Sequence, residues 1–128
     1  MSSETLSIEV KVEKEDMLNL FITALEGGCN YWAMVDDTDT DISHCEGQSY
    51  SEKWFDAIWE KGMSMPVVDA EEPTDPLGKL DKAGMLNGMK LMAEGYTYHY
   101  SDFKEDNVDA YTADVWFQLA LMKEVVYG

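Results

Sequence analysis

An alternating run of aspartates, Asp-Asp-Thr-Asp-Thr-Asp, has the most suggestive metal-ligand spacing in the chain. Asp37, Asp39 and Asp41 match the first three ligand positions of a calcium-binding loop, where alternate carboxylates face one ion. The match then fails, because Ile42 stands where the sharp turn needs glycine and Gln48 stands where a bidentate glutamate is expected. We interpret the run as a solvated acidic loop and predict no metal site, with a weak site for a hard cation as the alternative.

The two cysteines and two histidines are residue types that serve as zinc ligands or as a nucleophile with its base. They are Cys29, His44, Cys45 and His99. Their spacing contains no C-x-x-C or H-x-x-x-H pair, so a structural zinc site is not indicated. A catalytic Cys–His pair would have to be assembled by the fold. Because a P-loop, a G-x-S-x-G motif and a dinucleotide fingerprint are all missing from the sequence, we predict a protein that is not an enzyme, with free thiols, no catalytic residues and no cofactor.

Carboxylates concentrate in three acidic clusters: the first at residues 36–46, the second at 69–75 and the third at 102–114. Within these stretches Lys104 is the one lysine. Poorly mixed charge of this kind steers association with a basic surface, although solvated loops without a function have the same composition. The carboxylates that we predict to contact a partner are Asp36, Asp37, Asp39, Asp41, Glu46, Asp69, Glu71, Glu72, Asp75, Asp102, Glu105 and Asp106.

The overall charge restricts the partners of the chain. The formal net charge is −17, and all nine basic residues are lysines. Such a surface repels nucleic-acid phosphates and anionic membranes, and the arginine fork that usually binds phosphate is missing. We therefore expect neither direct nucleic-acid binding nor membrane binding, and we expect a basic protein as the partner.

The segment Gly-Gly-Cys-Asn-Tyr-Trp suggests an alternative, ligand-binding site. Gly27 and Gly28 permit close backbone approach, and Asn30, Tyr31 and Trp32 are suited to holding a planar ligand such as a nucleotide signal. The structural interpretation of the same residues is a helix end followed by a core strand with aromatic packing, and we favour it.

The length of 128 residues and a hydrophobic fraction of 45% predict a single domain, residues 1–128, with a packed core. No apolar run approaches the roughly 18 residues of a membrane span. The first residues also lack the basic start and apolar stretch of a signal peptide. We therefore expect a protein that acts in the cytoplasm.

Apolar periodicity predicts the secondary structure. Strand-type patterns occur at residues 5–13, 30–35, 63–68 and 96–100, and Pro66 would put the third strand at a sheet edge or bulge. Residues 69–78 are predicted to be an acidic connector, and residues 36–49 and 101–107 to be loops.

Four segments show helical periodicity, and each has a predicted boundary. The first spans residues 14–28, and Ser51 is predicted to cap the second. Asp81 caps the third, where Gly84 and Gly88, four residues apart, permit the close approach of another element. The last begins near Asp109 and is apolar around most of its circumference. This order predicts a small two-layer α+β domain, with a short sheet packed by about four helices and the C-terminal helix central to the core.

Two segments of the chain resemble a group of small acidic proteins of bacteriophages and prophages. They are EGGCNYW at 26–32 and DVWFQLALMKEVVYG at 114–128, which match an E-G-G-x-N-Y-W pattern and an Asp…Gln-Leu-Ala-Leu…Val-Tyr-Gly ending. The group has no settled activity, so the resemblance assigns no role to any residue. It implies a phage accessory protein, and small acidic phage proteins often block host defences, including CRISPR nucleases.

These observations together predict an anti-CRISPR-like inhibitor without enzymatic activity. Its acidic surface would mimic nucleic acid and occupy a basic site of a host protein, such as a defence nuclease, in the host cytosol. The alternative is a protein that binds or sequesters a small molecule, and the oligomeric state stays open.

Overall fold

Five α-helices and one three-stranded antiparallel sheet form within residues 10–128, the part of the chain that the computed structural model describes. The helices are α1 (Lys14–Thr23), α2 (Tyr50–Trp59), α3 (Lys82–Gly95), α4 (Thr97–Lys104) and α5 (Ala110–Met122). The strands are β1 (Ala33–Val35), β2 (Met65–Asp69) and β3 (Pro76–Leu80), and α1 continues into a π-helical turn at Ala24–Gly28. The predicted α+β class is confirmed, with five helices instead of about four.

Helix α5 is the centre of the core, as its apolar circumference predicts. Every residue from Thr112 to Ala120 is buried. The helix contacts α1, the π-helical turn, β3, α3 and α4. Trp116 and Phe117, both fully buried, bring the largest side chains of this helix into the core.

Two of the glycines of α3, Gly84 and Gly88, allow it to lie directly against α5. A Cβ atom on Gly88 would be 2.7 Å from the Cα atom of Ala120, and one on Gly84 would be 2.9 Å from the carbonyl oxygen of the same residue. Glycines four residues apart lie on one face of a helix, so the two backbones meet over a full turn. The predicted close approach is confirmed, and the partner is α5.

Side-chain caps fix where three of the helices begin. The Asp81 carboxylate accepts a hydrogen bond from the Gly84 N–H at 2.7 Å, and the Asp109 carboxylate accepts one from the Thr112 N–H at 2.8 Å. Both predicted caps are confirmed. The cap predicted at Ser51 is wrong: Ser49 caps α2, and Ser51 is buried inside the helix. Ser49 has Glu52 three positions on, which is the capping-box pattern, whereas Ser51 has Trp54 there, so the local pattern favours Ser49.

The sheet has the order β1-β2-β3, which makes β2 its central strand. The predicted edge position of Pro66 is therefore wrong. Pro66 is tolerated because it lies just past the end of β1, where its carbonyl accepts the Asp36 N–H at 2.9 Å. Val67 pairs with Gly78 and Val68 pairs with Pro76, so Leu77 is an extra residue that forms a bulge in β3. The sequence predicted a bulge in the neighbouring strand, β2.

Two further predictions of secondary structure are wrong. Residues 76–80 form β3 and not part of a connector, and residues 97–100 begin α4 and not a strand. β3 buries only Leu80, so it shows no alternating apolar pattern. The tyrosines near residue 98 favour a strand by propensity, but packing of Phe103 into the core favours the helix.

The predicted strand at 5–13 falls mostly outside the described residues, and residues 10–13 form no strand. The predicted strand at 30–35 is shorter than expected and forms only at Ala33–Val35. Among residues 10–128, no helix combines the length and apolar character needed to cross a membrane.

Candidate functional site

The twelve carboxylates that the sequence nominates for partner binding lie at the surface. Nine are exposed, and Asp36, Asp69 and Asp102 are half-buried. The ion pairs within residues 10–128 join Lys14 to Glu60 at 2.6 Å and Lys61 to Asp56 at 3.5 Å. None of the twelve takes part in an ion pair there, so their negative charge is not neutralised by neighbouring lysines of the described chain.

Turns of the backbone organise the first acidic cluster. Asp36 accepts hydrogen bonds from the N–H and the hydroxyl of Thr38 at 3.2 and 2.7 Å, and Asp41 accepts one from the Ser43 N–H at 2.9 Å. These hydrogen bonds lower the pKa of Asp36 and the pKa of Asp41, which favours the ionised forms. Asp37 accepts a hydrogen bond from the Tyr50 hydroxyl at 2.8 Å.

The calcium-loop alternative gains no support from this arrangement. In the part of the chain that the structure describes, no three His, Cys, Asp or Glu side chains are grouped as metal ligands. Asp41 is committed to a turn and Asp37 to a tyrosine hydroxyl, so the alternate aspartates do not converge on one point.

The sheet brings the first and second acidic clusters to its two ends. Asp36 follows β1 opposite Pro66, and Asp69 ends β2 opposite Ala33. Three residues of strand separate these positions, which is roughly 10 Å. Asp69 also accepts hydrogen bonds from the N–H groups of Glu71 and Glu72 at 2.8 and 3.1 Å, which orders the second cluster as a tight turn.

A groove of about 540 Å³ accompanies the first cluster, between the loop after β1 and the hairpin of β2 and β3. Asp36 and Asp39 line it together with Pro76 and Lys79. The acidic surface is therefore concave here, with one lysine in its wall.

The third acidic cluster lies on the helical part of the molecule. Asp102 belongs to α4, Glu105 and Asp106 form the turn after it, and Asp109 caps α5. This cluster therefore lies on α4 and at the start of α5, whereas the first two clusters lie next to the strands of the sheet. The fold thus joins two of the three clusters at one element.

The segments at residues 26–32 and 114–128 pack against each other through a buried carboxylate. Asp114 is 3% exposed and accepts hydrogen bonds from the Tyr31 hydroxyl at 2.6 Å and from the Trp32 indole N–H at 2.7 Å. Gln118 donates to the same carboxylate at 3.2 Å and accepts the backbone N–H of Tyr127 at 2.8 Å. These two segments are therefore joined by hydrogen bonds in the core of the fold.

Packing in the core occupies much of the alternative ligand site, which was proposed at Gly27, Gly28, Asn30, Tyr31 and Trp32. Trp32 is 3% exposed, and a ring of the chain itself, Tyr127, stacks on it at 4.8 Å. A Cβ atom on Gly28 would lie 2.7 Å from the carbonyl oxygen of residue 110, so this glycine admits α5. Gly27, Asn30 and Tyr31 are exposed, but the planar surface that was to hold a ligand is already covered.

A cavity of about 410 Å³ lies beside this segment, and sequence reasoning missed it. Its walls come from the π-helical turn, β1, the start of α2, β2 and α5. No single stretch of sequence therefore indicates that the cavity exists. Glu26 is the charged residue in the lining, and the lining residues that the structure describes include no lysine. The residues that line it are Leu25, Glu26, Cys29, Ala33, Met34, Val35, Tyr50, Ser51, Val67 and Phe117.

Both thiols are held in their protonated form. Burial, helped by the charge of Asp114, raises the pKa of Cys29 to about 12. Burial and the nearby Asp56 also raise the pKa of Cys45, whose sulfur lies 3.8 Å from Nε2 of His44. A protonated thiol is a weak nucleophile, so the arrangement does not favour Cys–His catalysis.

Comparison with known proteins adds no assignment. No family model matches the chain, and no curated protein or solved structure is significantly similar to it.

Proposed function

We propose that this protein is a phage-type, anti-CRISPR-like inhibitor of host defence that is not an enzyme. Its acidic surface would occupy a basic nucleic-acid-binding site of a host protein in the host cytosol. The observation that carries the proposal is the set of twelve surface carboxylates, none of which is ion-paired within residues 10–128. Carboxylates that are not ion-paired keep more of their attraction for an incoming basic surface.

The electrostatics of the chain support this role. With a net charge of −17, the protein attracts cationic surfaces at long range and accelerates their association. The lowered pKa of Asp36 and of Asp41 keeps these two groups ionised even in mildly acidic solution. Asp36 and Asp69 lie at opposite ends of one sheet, roughly 10 Å apart along the strands, so negative charge is present at both ends of the sheet.

The resemblance to phage proteins supports the biological setting. It concerns residues that pack in the core around Asp114, so it bears on ancestry and not on the binding surface. The inhibitory role is therefore proposed from charge, and the phage setting from the resemblance.

The proposal is tested by inhibition of purified CRISPR effector nucleases, with binding measured between about 50 and 500 mM salt. Because salt screens exposed charges, we expect affinity to fall at least about tenfold over this range. Changing Asp37, Asp39 and Asp41 together to Asn should weaken binding and slow association. Affinity that is independent of salt would contradict the proposed mechanism.

The matched control changes Glu13, Glu94 and Glu124 to Gln. These exposed residues lie outside the acidic clusters, and their replacement alters the net charge by the same amount. If both triple variants weaken binding equally, only total charge matters and the clusters are not the binding site.

A second candidate function, binding or sequestering a small molecule, is favoured by the cavity of about 410 Å³. Its volume falls within the roughly 300–1,000 Å³ that is typical of ligand sites. Glu26 at its rim and the lack of lining lysines among residues 10–128 disfavour a nucleotide phosphate and favour an apolar ligand that is neutral or cationic.

Thermal-shift measurements with 2-phenylethylamine, 2-phenylethanol and phenylacetate test this candidate, because the three ligands share one ring and differ in charge. We expect stabilisation in the order amine, alcohol, carboxylate, and a smaller preference for the amine in Glu26→Gln. No shift with any of the three at millimolar concentration would reject a site for apolar ligands of this size.

A further inference from the structure

Three aromatic rings from two helices meet at the surface of the helical part. The His99 ring centroid lies 5.7 Å from that of Tyr98 and 4.7 Å from that of Tyr111, both in edge-on geometry. The side chains of Tyr98 and Tyr111 are 76% and 62% exposed. Single exposed tyrosines are ordinary, but rings in mutual contact form a continuous apolar patch, which we call the aromatic cluster (Tyr98, His99 and Tyr111).

The aromatic cluster is held in place by the core. Nδ1 of His99 lies 2.9 Å from the hydroxyl oxygen of Thr112, a fully buried residue in the first turn of α5. The backbone N–H of Thr112 is itself bonded to the capping carboxylate of Asp109. Because the central ring is fixed to α5, the two exposed tyrosines need little further ordering when a partner binds, which favours affinity.

Carboxylates outnumber lysines next to the aromatic cluster, where Lys104 ends α4. Asp102 lies one turn after Tyr98 on α4, and the turn beyond α4 holds Glu105 and Asp106. None of these carboxylates is ion-paired within the described chain. Aromatic faces beside carboxylates complement a guanidinium group, which stacks on a ring while it donates hydrogen bonds to an anion. The same charges repel a nucleic-acid strand that would otherwise stack on these rings.

We infer that the aromatic cluster is a binding site for arginine side chains on the surface of a basic protein partner. This inference rests on the proposed function, and it adds a specific contact to the long-range attraction of the acidic clusters. Tyrosines of this kind are enriched at the centres of protein interfaces, where they contribute much of the affinity.

The test measures binding of nona-arginine and nona-lysine peptides to the whole protein by calorimetry. Both peptides carry the same charge, but arginine stacks better on tyrosine. We expect tighter binding of nona-arginine. Tyr98→Ala and Tyr111→Ala should each weaken it roughly two- to fivefold, with little change for nona-lysine. Tyr98→Phe and Tyr111→Phe keep the rings and should bind within about twofold of the wild type.

Leu86→Ala removes another exposed apolar side chain, from α3, and serves as the control. Because Tyr98 is mostly exposed, its replacement is expected to leave the circular dichroism spectrum and the thermal midpoint unchanged, so that lost binding is not lost folding. A variant that combines Tyr98→Ala with Tyr111→Ala provides the decisive measurement. Unchanged nona-arginine binding in this double variant would overturn the inference. So would light scattering that shows a dimer in the wild type and a monomer in this variant, because the cluster would then bind a second copy of the chain.

The two proposals fail in different ways. If neither peptide binds the wild type at low salt, the proposed function fails. If both peptides bind equally, with strong salt dependence and no effect of the alanine substitutions, the acidic surface stands and the aromatic cluster is not a binding site.

Discussion

Replacement of Asp114 tests how much one buried carboxylate stabilises the fold by linking α5 to the segment that contains Tyr31 and Trp32. Its side chain accepts three hydrogen bonds, two of them short, from Tyr31 at 2.6 Å and Trp32 at 2.7 Å. In Asp114→Ala the half-exposed Tyr31 hydroxyl can turn to water, and the Gln118 amide keeps the Tyr127 carbonyl at 3.0 Å. The buried Trp32 N–H has no such substitute, so most of the loss comes from that group.

The expected loss of unfolding free energy follows from this difference between the hydrogen-bond donors. An orphaned buried donor costs about 1–3 kcal/mol, and the lost charge-assisted bond to tyrosine adds to it, so we expect Asp114→Ala to lose roughly 2–4 kcal/mol of unfolding free energy. Asp114→Asn keeps an acceptor for Trp32, offers its amide N–H to the tyrosine oxygen, and removes a buried charge that costs energy to desolvate. We expect a loss of about 1 kcal/mol.

Urea unfolding followed by tryptophan fluorescence measures both losses, with the exposed Asp75→Asn as a control for the same change of charge. Equal stability of the Ala and Asn variants would refute the reasoning, because hydrogen bonding to Trp32 would then contribute nothing.

Titration of the tyrosines gives a second measurement of the same network. Burial, the hydrogen bond to Asp114 and the charge of that carboxylate raise the pKa of Tyr31 to about 12. The unfolded chain releases this proton near pH 10, so the wild type loses stability as pH rises from about 10 to 12. Asp114→Asn removes two of these causes, so the pKa of Tyr31 should move toward 10 and this alkaline loss should shrink. An unchanged tyrosine titration would contradict the assigned hydrogen bond.

Three other predictions follow from packing and charge. Gly88→Ala places a Cβ atom 2.7 Å from the α5 backbone and should cost about 1–3 kcal/mol of unfolding free energy, although alanine favours helix by about 1 kcal/mol. Gly95→Ala places a Cβ atom with nothing within 4 Å among residues 10–128 and should be neutral or stabilising, and chemical denaturation compares the two. Cys29 and Cys45 should react with iodoacetamide far more slowly in the native protein than in urea, and fast native labelling would show an accessible thiolate. Raising salt from about 20 to 500 mM should raise the thermal midpoint by screening like-charge repulsion, and a falling midpoint would show that attractive pairs dominate.

The candidate sites differ in how far the sequence reveals them. Most carboxylates of the acidic clusters are visible in composition because they lie in loops and turns, where side chains are exposed in most folds. Asp114, which the range of the third cluster also includes, is buried in α5. The alternative ligand site around Trp32 conflicts with packing, and the sequence cannot show that Tyr127, 95 positions later, stacks on that ring. The aromatic cluster was hidden for a similar reason: Tyr111 joins His99 only when α4 packs on α5.

By itself the sequence determined the net charge, the α+β class, the caps at Asp81 and Asp109, and the close approach allowed by Gly84 and Gly88. These features depend on interactions within a few residues, or on side chains that are exposed in any arrangement. Only the tertiary structure decided that Pro76–Leu80 is a strand, that residues 97–104 are a helix and that five elements line one cavity. In those places local propensity is weak or opposed, and contacts between residues distant in sequence provide the larger free energy.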